Sequence, residues 1–171
     1  MAQHELSERK DMVFDATHLN IPIDLNNPPP SASMSFLKIQ QQVKTTWDAF
    51  EVVENSLVRL DDNVHAEVLN YISSHRSATK AQLQVQRARL TVQLHEPRIV
   101  QAEGACRELE RTARLLEEAA RKELTTVEAR AALEIDVPVI RNCLATTREI
   151  IGVAEAQLNG ARVIYNRSEL S

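Results

Sequence analysis

SFLKIQQQVKTTWDAFEVVENSLVRLDDNVHAEVLNY, residues 35–71, contains neither proline nor glycine, and its apolar side chains recur at Phe36, Ile39, Val43, Phe50, Val53, Leu57, Leu60, Val64 and Tyr71. Steps of three and four residues make a heptad repeat, with Thr46 and Glu67 filling two seam positions and Trp47 and Val68 widening the seam from beside it. A helix puts such residues on one face, whereas a strand would need alternation at every second residue. The spacing predicts a helix over about 35–73, opened by the hydroxyl of Ser33 or Ser35 as N-cap.

Reading outward, a second seam runs through Ala78, Ala81, Val85, Ala88, Val92, His95, Ile99, Ala102, Cys106, Leu109, Ala113, Leu116, Ala120 and Val127. It predicts a helix over about 77–133, kinked at Pro97, whose ring clashes with the carbonyl four residues back. A third helix is expected over 137–168, with Pro138 in its first turn and a face of Ile140, Cys143 or Leu144, Thr147, Ile150 or Ile151, Ala154, Leu158, Ala161 and Ile164 or Tyr165. The heptad frame continues unslipped from Phe36 to Val127, so one unbroken helix competes with a hairpin turning at residues 72–77. Charge favours the hairpin. Residues 48–68 carry six acids against Arg59 alone, and residues 76–98 carry five basic residues against Glu96 alone. An antiparallel fold sets the two stretches side by side.

Composition agrees. Among 171 residues there are three glycines, one Trp, two Tyr and three Phe, too little glycine for a fold of many tight turns. The fold class expected is all-α: an elongated antiparallel coiled coil of three long helices (residues 34–168) behind an extended or disordered proline-rich tail (residues 1–33). A net charge of −4 argues against non-specific binding to nucleic acid. The start, Met1 to Glu5, lacks the basic and apolar regions of a signal peptide, so a cytoplasmic location is expected, with cytoskeletal or vesicle association an option. Cys106 and Cys143 both fall on apolar faces and read as reduced core thiols.

A search for chemistry yields no catalytic, cofactor-binding or metal-ligating residues. The histidines His4, His18, His65, His75 and His95 show no i, i+4 pairing, neither cysteine belongs to a C-x-x-C pair, and no phosphate-loop or nucleophile-elbow motif is present. An acid, a base and a nucleophile are not brought together by any spacing, which argues against an enzyme. His95, on the seam beside Pro97, reads either as a pH-sensitive hinge or as a polar seam residue bonded to a neighbour. The second reading is preferred, because a switch needs a two-state element as well as a histidine.

The tail carries the remaining signal. Leu19, Ile21, Ile23 and Leu25 alternate with polar residues and Pro22, and Pro28 to Pro30 stiffen the chain behind them. Four apolar side chains on one face of an extended segment suit docking on a partner. Trp47 and Phe50 join them as candidate partner contacts. If the hairpin holds, the first helix covers the second over about 77–114 and the third runs back along 103–133, so only a central zone has three layers, and the two-helix ends leave apolar seams for self-association or for other proteins. The function expected is that of a non-enzymatic structural subunit of a multi-protein assembly of cytoskeletal, ciliary or vesicle-trafficking kind. Three long helices with a proline in the second, Pro97, also resemble BAR domains. That resemblance implies an alternative: a dimeric module that binds or shapes anionic membranes, with the membrane surface as a secondary partner.

Overall fold

The computed structural model describes residues 12–16, 26 and 30–170. Apart from a short N-terminal segment and the turns, these residues are helical: α1 (Met34–Val58), α2 (Leu60–Ser74), α3 (Lys80–Arg121), α4 (Val127–Ala131) and α5 (Val137–Leu170), with a π-helical turn, Ala132–Asp136, joining α4 to α5. The all-α expectation holds, and no strand occurs among the described residues. No helix among them is long and apolar enough to cross a membrane.

The helix starts are explained by side chains. The Ser33 hydroxyl accepts the Phe36 N–H at 3.2 Å, which selects Ser33 over Ser35 as the cap of α1. Thr79 and Gln82 form a reciprocal capping box: the Gln82 N–H reaches the Thr79 hydroxyl at 3.2 Å, and the Thr79 N–H reaches Gln82 Oε1 at 2.9 Å. Thr126 caps α4 by accepting the Ala129 N–H at 3.2 Å. These caps do the work that glycine does in other turns. The hairpin is therefore real and the unbroken helix is not. α2 ends at Ser74, and α3 starts at Lys80, three residues later than the seam alone implied.

The second expected helix needs a larger correction. It ends at Arg121, not at residue 133, and the third starts at Val127, ten residues before the expected 137. Pro138 does not open that helix. It cannot supply the N–H that an α-helix would direct to the Glu134 carbonyl, and the chain widens immediately before it, with the Val137 N–H bonded to Ala132, five residues back. At Pro97, by contrast, α3 runs on without a break.

The described chain divides into two compact units. The first comprises residues 1–51 and 105–146. Its interior places large side chains on α1 (Phe36, Trp47, Phe50) and mostly small ones on α3 and α4 (Cys106, Ala113, Ala120, Ala129, Ala131), a large-to-small match that lets helices approach closely. Each large buried side chain contributes about 1.5–3 kcal/mol. The second unit comprises residues 52–104 and 147–171. Here Leu57, Leu60, Val64, Ala88, Ile99, Ala102, Ile151, Ala154, Leu158 and Ala161 form the core. Helix directions in this unit follow from the contacts. Glu103 bonds Glu155, Glu96 pairs with Arg162 at 3.4 Å, and Arg89 acts on Tyr165, so α3 and α5 are antiparallel. Asp61 approaches His95, and Val64 and Ala88 face one cavity, so α2 and α3 are antiparallel too. Because the last helix is longer than expected, each unit has three helical layers, and the anticipated two-helix ends shrink to the outermost turns of the second unit.

Candidate functional site

The seam of α1 is legible in sequence, but its second row is displaced by one residue. Ile39, Thr46 and Val53 are half-buried, while Gln40, Trp47 and Glu54 are the buried residues. Trp47 and Phe50, expected as partner contacts, are 4% and 2% exposed, and both serve the chain's own core. Their rings pack tilted at 5.7 Å between centroids, and Trp47 Nε1–H donates to Glu51 at 2.6 Å. Leu19, Ile21 and Ile23 lie outside the described residues, as does Leu25. Cys106 and Cys143 are buried and form no disulfide.

Two features remain that carry polar chemistry. The first lies wholly in the second unit. A cavity of about 380 Å³ is lined by Asp61, Gln84, Arg87, Thr91, His95 and Gln157 on its polar side and by Val64, Ala88, Ala161 and Ile164 on its apolar side. His95, 1% exposed, donates from Nε2 to Gln157 Oε1 at 2.9 Å. Gln157 in turn donates to Asp61 at 3.4 Å, and the Asp61 carboxylate lies 3.9 Å from His95 Nε2. His95 Nδ1 is buried without a partner. The histidine is thus bonded to a neighbour, as the preferred reading held, but that neighbour is on α5. The Thr91 hydroxyl is committed to the Arg87 carbonyl at 2.9 Å. Below the cavity, the Thr147 hydroxyl donates to the buried Glu54 carboxylate. These groups tie α1, α2, α3 and α5 in register.

Beyond Val64, Ala88 and Ala161 no side chain of this unit is fully buried. Apolar residues continue nonetheless. Val68, Leu83, Val85 and Ile164 are half-buried, and Leu69 and Ile72 are 50% and 39% exposed. The turn that closes this tip is ordered by Tyr71 and His75, whose rings stack at 4.1 Å and whose backbones bond at 2.9 Å.

The second feature lies wholly in the first unit, where residues 12–16 contact the π-helical turn. The Val13 N–H donates to Asp136 Oδ1 at 2.8 Å. Asp136 is 0% exposed, and its Oδ2 has no partner. Burial, reinforced by the charge of Asp15 and opposed by the Val13 N–H, pushes its carboxyl up to about 7. A sequence reading organised by apolar periodicity passes over Asp136. The available signal was an acid two residues before a proline, between apolar neighbours. Nearby, the Ser33 N–H and hydroxyl donate to Glu123 at 2.7 and 2.6 Å and hold that carboxylate below its usual range.

Among the described residues no group of three or more His, Cys, Asp or Glu is placed to hold a metal ion. Comparison with protein-family models, curated proteins and solved structures finds no match to this chain.

Proposed function

We propose that this chain is a non-enzymatic structural subunit of a cytoplasmic multi-protein assembly, and that the tip of its second unit packs against a helix of another protein. The observation that supports this reading is the mismatch at the tip, where the interior ends at Val64, Ala88 and Ala161 while the apolar residues do not. The occupant expected is helical. Val68, Leu69 and Ile72 on α2, and Leu83 on α3, continue the three-and-four spacing that is buried elsewhere in the molecule, and only another helix meets such a row along its length. The polar groups support a scaffold over a catalyst, since Thr91, Gln157 and Glu54 are engaged in bonds that join helices.

The test is affinity recovery from the native cell with the full chain and with Leu69→Asp combined with Ile72→Asp. These side chains are exposed, so helicity by circular dichroism is expected to stay unchanged while partner recovery falls at least tenfold. Equal recovery by both chains overturns the tip as the contact. A parallel pair, Ile21→Asp with Ile23→Asp, separates the tail from the tip as the binding element.

A further inference from the structure

Val13, Phe14 and Asp15 are held between two elements of the first unit. Val13 is buried, and its N–H is bonded to Asp136 of the π-helical turn. Phe14 and Asp15 line a cavity of about 350 Å³ with Leu37, Gln40, Gln41 and Lys44 of α1. Two polar atoms in the neighbourhood of this segment, Asp136 Oδ2 and Gln40 Nε2, are buried without partners. A buried carboxylate lacking half its hydrogen bonds is costly, and a carboxylic acid in the same place costs much less. A native interior tolerates such a group where it has a use.

We propose that the π-helical turn and α1 form a docking site for a short peptide segment, that residues 12–16 of the same chain are its resident occupant, and that protonation of Asp136 locks that occupant in place. Backbone recognition explains how an otherwise plain segment is held, because the contact to Asp136 is made by the Val13 main chain. Protonation removes the buried charge while leaving Oδ1 to accept the Val13 N–H. Release of the segment lets water reach the carboxyl, which then returns toward its ordinary value.

The direction of the pH effect follows. Asp136 is raised from 3.8 to about 7 when the segment is docked. Docking is therefore strongest below the ordinary carboxylate range. It weakens by up to about tenfold per pH unit as pH rises, then levels off above about 7. Charged groups on the surrounding elements include Asp15 on the segment itself, Lys38 and Lys44 on α1, Glu128 and Arg130 on α4 and the exposed Glu134 on the π-helical turn. Asp15 raises the Asp136 carboxyl, and Arg130 Nε is buried without a partner. Glu117 of α3 and Arg141 of α5 neutralise one another at 2.7 Å.

The experiment follows the Phe14 ring signals by nuclear magnetic resonance in the full chain between pH 5 and pH 8. In the native chain the ratio of docked to released segment is expected to fall at least tenfold over that range. Asp136→Asn keeps the acceptor and removes the charge, so its ratio is expected to change less than twofold. Val13→Pro removes the donor without touching the helices, and its segment is expected to be released at both ends of the range. A native ratio that does not move, an Asp136→Asn chain that titrates like the native one, or a docked Val13→Pro chain each overturns the proposal.

Discussion

The two units use the same helical grammar to different ends. The first is packed around large side chains, with Gln40, Thr112, Thr126 and Asp136 as its buried polar residues. Phe36, Trp47 and Phe50 fill it, small residues on α3 and α4 admit them, and residues 12–16 lie against it. The second is threaded by polar groups, with Glu54, Thr147 and His95 in its interior, a cavity along one side and an apolar tip without a core beneath it. The contrast teaches that a three-helix arrangement can be specified either by shape, as in the first unit, or by hydrogen bonds that fix register, as in the second. A unit held by shape loses most when volume is removed. A unit held by hydrogen bonds loses most when a partner is removed.

That comparison can be broken by experiment. The largest effect is expected in the first unit. Phe50→Ala deletes a fully buried ring and is expected to cost about 3–5 kcal/mol in chemical denaturation. A cost under about 1 kcal/mol would mean that the interior there refills itself and is not specified by shape. In the second unit, Thr147→Val keeps the volume and removes the hydroxyl that donates to Glu54. Its expected cost is about 1.5–3 kcal/mol, the range for a hydrogen bond to a charged group. A neutral result would place the register of that unit in its apolar contacts instead. The smallest effect runs the other way. Gly152 and Gly160 sit inside α5 with nothing within 4 Å of an added Cβ, so Gly152→Ala and Gly160→Ala are each expected to stabilise by about 0.5–1 kcal/mol. Thermal melts that fall instead would show that the open side of the unit requires the absence of those methyl groups.

Much of this architecture was legible in the sequence, and the reason is physical. Apolar side chains at steps of three and four are forced to one face, so the buried row of α3 from Ala88 through Ala120 and that of α5 from Ile140 through Ala161 could be read without coordinates. The same method is blind to polar residues that are buried because a partner meets them. Glu54, met by Thr147, and Asp136, met by Val13, were missed for that reason. It is also blind to turns made by caps. Thr79 with Gln82, and Thr126 with the Ala129 N–H, end and restart helices without glycine or proline, and a seam residue such as Val127 on the far side of a turn still fits the running frame. The two prolines fared differently: the sequence pattern sets Pro97 inside a helix and Pro138 at the opening of one. Pro97 lies within a helix that continues through it, and Pro138 follows a widened turn inside a helix already begun.

The bond from Ser33 to Glu123 has a consequence for how the chain folds. Ser33 supplies the hydroxyl cap of α1, but its own N–H is satisfied by a carboxylate 90 positions away. The α2–α3 hairpin needs only neighbours: its turn, capping box and stacked rings are complete within residues 71–82. Local contacts close with little loss of chain entropy, and distant ones close late. A nascent chain can therefore form the hairpin while the start of α1 still lacks this partner, and that end of the helix is completed only when Glu123 has been made and brought back to it. The expected order is from local contacts outward, with the bond from Ser33 to Glu123 among the last to form.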